Sequence, residues 1–128
     1  MPAKFRDTLI KKYSNKKIVI SLFENCLISY PIKEWEKLEL KISKLPSFKN
    51  ETVEFERYLV GNANECSIDS EGRINIPPLL RKKLNIKDTV IFVGILNRFE
   101  IWCESTWNNY MKNSFKKFQK SRNEINGI

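Results

Sequence analysis

Short β-branched apolar runs alternate with stretches of helical spacing along this chain. Residues 17–23 (KIVISLF) predict a strand. Glu24-Asn25 is a turn candidate, Cys26-Leu27-Ile28-Ser29-Tyr30 a second strand, and Pro31 stops it. Trp35, Leu38, Ile42 and Leu45 recur at spacings of three and four, which predicts an amphipathic helix over 33–45 that Pro46 ends. Residues 51–60 (ETVEFERYLV) predict another, with Asn50 as N-cap and Gly61 as its stop. Cys66-Ser67-Ile68-Asp69 reads as a short strand, Ser70-Glu71-Gly72 as a turn and Arg73-Ile74-Asn75-Ile76 as the returning strand, apolar on one face only. Pro77-Pro78 opens a short helix, PPLLRKKLN. Residues 89–94 and 98–103 form a second strand pair around Ile95-Leu96-Asn97. Ser105 caps a final helix whose Trp107, Tyr110, Met111, Ser114 and Phe118 share one face, with fraying expected from about residue 121.

The two halves resemble each other. Met1 to Leu9 (MPAKFRDTL) lies over Ile76 to Leu84 (IPPLLRKKL). After a three-residue gap, Ile18 lies over Val90, Asn25 over Asn97, Leu27 over Phe99, Tyr30 over Trp102 and Trp35 over Trp107. The matched Pro, Arg, Asn and Trp positions argue for an internal repeat of strand, turn, strand and helix. The second copy carries Asp69-x-x-Gly72-Arg73 and a strand ahead of Ile76-Pro77; the first begins at the position of Ile76, without that leading hairpin.

Composition narrows the chemistry. The 128 residues contain no His, which removes His-based acid–base and nucleophilic catalysis and most catalytic zinc sites. Cys26, Cys66 and Cys103 form no C-x-x-C pair and read as small, largely buried thiols in a reducing cytosol. No secretory signal or membrane-spanning run is present. Lys and Arg number 23 against 15 acids, a formal net charge of +8, and such a surplus suits a polyanion. The charge is blocked. Residues 1–17, 73–87 and 111–128 are basic, whereas 51–71 carries six acids and only Arg57. One surface of each sign follows, one for an anion and the other for a neighbouring subunit.

Asp69-Ser70-Glu71-Gly72-Arg73-Ile74-Asn75-Ile76-Pro77-Pro78-Leu79-Leu80-Arg81 and Val93-Gly94-Ile95-Leu96-Asn97-Arg98-Phe99-Glu100-Ile101-Trp102 are similar to motifs of the MraZ family. So are Leu59-Val60-Gly61-Asn62-Ala63 and the opening Pro2-Ala3-Lys4-Phe5-Arg6. The repeats of that family resemble the SpoVT/AbrB domain. The resemblance covers nearly all of the chain up to about Tyr110. It implies an α+β fold of two tandem SpoVT/AbrB-like swapped-hairpin β-barrel repeats with short helices. The expected division is a first, incomplete repeat at 1–45, a helical connector at 46–63, a second repeat at 64–110 and a basic C-terminal helix and tail at 111–128. The resemblance further implies a repressor of its own promoter, which drives division and cell-wall genes. Family members form closed homo-oligomeric rings and bind short direct repeats in double-stranded DNA. The protein is then expected in the cytoplasm, at the nucleoid, with no cofactor, metal, membrane or small-molecule substrate. The departure from the family pattern is the absent leading hairpin. Met1 is therefore expected to be an internal methionine with further residues upstream, since true loss would expose the apolar faces that pair with the hairpin. The intact mass of the native protein separates the two.

Arg73 follows the Gly72 turn at the foot of a two-stranded ribbon, where an Arg can take guanine O6/N7 bidentately, clamp a phosphate or stay solvated. Gly72 permits a positive φ, and Asp69 caps the turn through its carboxylate. Arg81, Lys82 and Lys83, with Lys4 and Arg6 in the first copy, suit phosphate contacts; Lys82 and Lys83 equally suit a solvated helix face. The spacings of Tyr30, Trp35, Phe99, Trp102, Trp107 and Tyr110 fit core packing better than base stacking. A sequence-specific DNA-binding repressor is the leading expectation. An AbrB-like antitoxin subunit and a ring-forming scaffold with impaired DNA binding are the alternatives. No catalytic constellation is visible, so an enzyme is not expected.

Overall fold

A computed structural model describes residues 17–87, 89–125 and 127. In chain order the elements are β1 (Lys17–Leu22), β2 (Leu27–Pro31), α1 (Ile32–Ser43), α2 (Asn50–Phe55), a π-helical turn (Glu56–Val60), β3 (Asn64–Ser67), α3 (Pro78–Lys83), β4 (Val90–Ile95), β5 (Arg98–Cys103) and α4 (Glu104–Glu124). The fold is α+β, built on one five-stranded sheet in the order β3-β1-β2-β5-β4 with every pairing antiparallel.

The alternation of side chains along β1 and β2 explains how the sheet sits. Ile18, Ile20 and Leu22 join Leu27, Phe99, Ile101, Cys66, Ile68, Leu80 and Ile86 in a core on one face. Val19, Ile28, Tyr30, Trp35, Ile42 and Leu59 form a second core on the other. The run KIVISL is therefore nearly continuous in apolar character because both of its faces are covered. Two hydroxyls are carried into this interior. Ser21 donates to the Leu59 carbonyl, while Ser29 Oγ is buried without a hydrogen-bond partner among the described residues. Strands β2 and β5 join the halves of the chain through Leu27–Ile101, Ile28–Glu100 and Ser29–Phe99. Matched aromatic pairs pack in both halves, Tyr30 on Trp35 at 5.9 Å and Trp102 on Trp107 at 5.2 Å between ring centroids.

Several boundaries differ from the sequence expectation. Pro31 is the last residue of β2 and the N-cap of α1, which stops at Ser43 and leaves Leu45 exposed. Asn50 is the first helical residue, not the cap. The Val53 amide reaches back to the Lys49 carbonyl at 3.2 Å and starts the helix one residue earlier. The expected helix over 51–60 widens in its second half, where the Gly61 amide bonds the Glu56 carbonyl five residues back at 2.9 Å. A Cβ on Gly61 would collide with the Arg57 carbonyl oxygen. Ser105 does not cap the last helix, because β5 runs directly into α4 with Cys103 at the N-cap. That helix continues through Glu124 rather than fraying from 121, and the Ile125 amide still bonds Ser121.

The returning strand at 73–76 shrinks to one bridge, Ile68 to Ile74. The Arg73 amide is taken by the Asp69 carboxylate, and Pro77-Pro78 beyond the bridge have no amide to donate. Ile74 and Ile76 pack sideways on the first core instead. Strand β3, for its part, starts two residues earlier than expected because Asn64 and Glu65 pair with Ile20 and Val19 of β1.

The two buried serines make opposite predictions. Ser21→Ala strands the Leu59 carbonyl and should cost about 1–3 kcal/mol in urea unfolding. Ser29→Ala removes a buried hydroxyl without a partner and should leave stability unchanged or raise it. Equal losses for both would contradict this assignment.

Candidate nucleic-acid interface

The Asp69–Arg73 turn is organised by one carboxylate. Asp69 Oδ1 accepts the Glu71 amide at 2.9 Å and the Arg73 amide at 2.8 Å, while Oδ2 accepts Arg73 Nε at 3.0 Å. The backbone closes beneath it, with the Gly72 amide on the Asp69 carbonyl and the Asp69 amide on the Arg73 carbonyl, both at 3.0 Å. Gly72 has φ of +80°, a region that side-chain-bearing residues avoid. Hydrogen bonds from the Arg73 amide and then its side chain hold the Asp69 carboxyl below its ordinary value.

Arg73 is exposed, but it is not bare. Its Nε sits on Asp69 and its second terminal nitrogen on Glu71, each at 3.0 Å. The sequence reading missed Glu71, although the residue lies inside the motif; a carboxylate two positions from the arginine was the available signal. The guanidinium is thus held at the tip of the turn by two acids. Exposed pairs of this kind contribute little to stability and exchange partners readily.

Arg81, Lys82 and Lys83 are exposed in the last turn of α3, where their charge complements the helix dipole. The helix is anchored by Leu80, 1% exposed, and closed by Asn85 at φ +55°. The Asn85 amide bonds the Lys82 carbonyl and the Ile86 amide the Arg81 carbonyl, which fixes the C-terminus of the helix that carries the three basic side chains. Lys4 and Arg6 lie outside the described residues.

Other chemistry is thin. Burial, then the nearby Glu100 carboxylate, pushes the Cys26 thiol up to about 12, so it is no nucleophile at neutral pH. Burial also raises Cys66. A hydrogen bond with Ser105 lowers Cys103. Among the described residues no His, Cys, Asp or Glu cluster suits a metal ion, and no helix is long and apolar enough to cross a membrane. Tyr30, Trp35, Phe99 and Trp102 are buried, which leaves their rings no room to stack on bases.

The family model described as "MraZ protein, putative antitoxin-like" matches twice, over residues 1–58 and 59–126. Two curated relatives are 40% identical to the chain. One is "Transcriptional regulator MraZ" of Syntrophobacter fumaroxidans, over 120 residues that make up 94% of this chain and 79% of that protein. The other is the protein of the same name from Pseudomonas aeruginosa strain LESB58, over 109 residues, 84% of this chain and 72% of that one. A third, from Thermoanaerobacter sp. strain X514, is 35% identical across the whole chain and 87% of its own length.

The turn geometry carries a pH prediction. A carboxyl that titrates below its ordinary 3.8 when folded contributes stability above that value and loses it as pH falls through the lower, folded one. Slow amide exchange at Glu71 and Arg73 should therefore persist through the pH range in which free Asp takes its proton, and vanish only below it. Asp69→Asn should keep both amide bonds through its carbonyl oxygen, whereas Asp69→Ala should lose them at every pH. NMR-detected exchange at Glu71 and Arg73 measures both.

Proposed function

The chain belongs to the MraZ family, and on that premise we propose that it is a transcriptional regulator, not an enzyme, that represses its own promoter by binding duplex DNA through the Asp69–Arg73 turn. The observation that carries this is the carboxylate clamp on Arg73. It sets a guanidinium at the exposed tip of a turn, close in sequence to the exposed Arg81, Lys82 and Lys83. On binding, Arg73 leaves Glu71 and the Asp69 Oδ2 for guanine O6/N7 or a phosphate, while Asp69 Oδ1 keeps the turn formed through the two backbone amides. Arg81, Lys82 and Lys83 supply phosphate contacts, which position without reading sequence. Lys4 and Arg6 take the same part in the first copy.

The repeats are read as swapped hairpins. Strand β3, from the second copy, pairs along β1 of the first, from Lys17–Ser67 to Ile20–Asn64, and that exchange supports the reading. The copies divide as 1–45 and 64–110 about the connector 46–63, with 111–128 as a basic extension. Several copies of the chain assemble into a closed ring in the cytoplasm, at the nucleoid, so that weak contacts act together on short direct repeats. The genes controlled are those of division and the cell wall.

Fluorescence anisotropy on the duplex upstream of the protein's own gene, against a shuffled duplex over a range of salt, tests this. Preference for the native duplex is expected, with a slope of log affinity on log salt of about −0.9 per phosphate neutralised. Arg73→Ala should erase the preference without changing the size of the assembly. Glu71→Gln should tighten binding to both duplexes by removing a carboxylate from the tip. Equal binding of both duplexes by the unaltered chain would refute the repressor reading.

A further inference from the structure

Where α4 leaves the sheet, the structure holds a cavity of about 320 Å³, a size that suits a small molecule. Glu100 and Trp102 of β5 stand two residues apart, so both face into it from one side of the sheet. The β1–β2 turn contributes Glu24 and Asn25, and α4 contributes Trp107 and Tyr110. The rings form one cluster. Trp107 and Tyr110 lie at an interplanar angle of 29° with centroids 6.0 Å apart, and Trp102 stands edge-on to Trp107 at 5.2 Å.

The charge of this cavity is of one sign. Among the described residues that line it are two carboxylates, Glu24 and Glu100, and no Lys or Arg. Neither carboxylate meets a cation in the ion pairs of the described residues. Glu100 is half-buried, and its Oε1 accepts the Trp102 indole N–H at 3.0 Å, a neutral donor that leaves the charge uncompensated. Arg98 stands two residues along β5 and forms no ion pair with it. A carboxylate drawn partly out of water gains from an opposite charge brought beside it. Burial, then Glu100, then Glu24 keep the Cys26 thiol protonated, so both carboxylates act on the same spot of the lining.

The internal repeat shows that this charge is particular to one cavity. The alignment that lays Asn25 over Asn97 and Tyr30 over Trp102 also lays Cys26 over Arg98 and Leu38 over Tyr110. Tyr30, Leu38, Asn97 and Arg98 line the matching cavity, about 530 Å³, between α1 and the β4–β5 turn. The charged residues of that lining are Lys37, Lys41, Lys44 and Arg98 against Glu34. One repeated scaffold thus carries two cavities of opposite sign. The acidic one, in a chain of net charge +8, is the one walled by Trp102, Trp107 and Tyr110.

We propose that the cavity between α4 and the β1–β2 turn binds a small organic amine in its protonated form. The ammonium group sits between Glu100 and Glu24, donates its N–H groups to their oxygens and to the Asn25 carboxamide oxygen, and leaves its alkyl part along the rings. Aromatic faces attract an alkylammonium ion as well as offering it apolar surface. A neutral apolar molecule would leave the carboxylates unpaired, and a bare metal ion would leave the rings unused; among the described residues no cluster suits a metal ion. The proposal needs no DNA and stands apart from the Arg73 turn.

Two of the chain's three tryptophans line the cavity, so intrinsic fluorescence reports its occupation. Putrescine, and 1,4-butanediol as its uncharged analogue, are titrated into the full chain without DNA, at an ionic strength held constant with sodium chloride. Putrescine should give a saturable change with a Kd of about 1 mM or tighter, and the diol none. Glu100→Gln keeps an acceptor for the Trp102 indole and should weaken putrescine at least about tenfold. Glu24→Gln, at an exposed position, should weaken it severalfold, and Glu39→Gln, exposed on α1, should not change it. Far-UV circular dichroism checks each fold, and Glu24→Gln against Glu39→Gln carries the test if Glu100→Gln does not fold. The absence of a saturable change overturns the proposal, as does an equal response to the diol. So does an affinity untouched by the Glu24 and Glu100 substitutions. A loss in Glu39→Gln as large as in Glu24→Gln shows a general attraction of the amine to surface acids and also overturns it.

Discussion

Strand β1 is paired along both edges, by its hairpin partner β2 and by β3 from the other half of the sequence. This double pairing is the constraint on which the rest of the molecule depends. It places Ile18 and Ile20 at 0% exposure and commits both faces of the strand to a core. It also sets the register. A slip of one residue would exchange the Ile18-Ile20-Leu22 set with the Val19-Ser21 set and carry the Ser21 hydroxyl away from the Leu59 carbonyl. Because β3 belongs to the second half, the first hairpin cannot leave the sheet without taking that pairing apart. The two halves share one sheet, although their sequences read as tandem copies.

The legible parts of the fold were those written in local patterns. β-branched runs marked β1 and β4, and helical spacing marked α1 and the apolar side of α4. Which strands pair is a non-local matter, and nothing in the sequence of Asn64–Ser67 announces that it will lie along β1. Helix starts were misread where the chain changes from one element to the next without a loop. Cys103 closes β5 and caps α4, and Pro31 does the same between β2 and α1, so neither cap uses the polar side chain that marks an ordinary helix start. The widened turn at Glu56–Val60 has the composition of a plain helix. Its cause is tertiary, since Leu59 is drawn onto the sheet, where its carbonyl meets Ser21.

The turn around Arg73 was the most legible feature of the candidate site, because an Asp, a Gly and an Arg at that spacing state a local geometry in full. Asp69 and Gly72 shape the turn at short range and need no distant partner. The ionic state of the arginine was not legible. A motif says which residues are near one another and leaves open which of two acids, or both, a guanidinium will choose.

That pairing bears on how a basic protein could avoid binding any polyanion equally well. A bare guanidinium at the tip of the turn would be drawn to every phosphate it met. One already held by Asp69 and Glu71 must be offered something better than a single phosphate oxygen before it moves, and a paired acceptor such as the O6/N7 edge of guanine is such an offer. Discrimination then comes partly from what opposes the wrong contact. The general attraction is left to α3, whose Arg81, Lys82 and Lys83 meet no acid among the described ion pairs. In the proposed complex holding and reading are therefore divided between two neighbouring elements. The acids that weaken each contact at the tip are also what would make it selective, and an assembly of several copies would restore the affinity that each copy gives up.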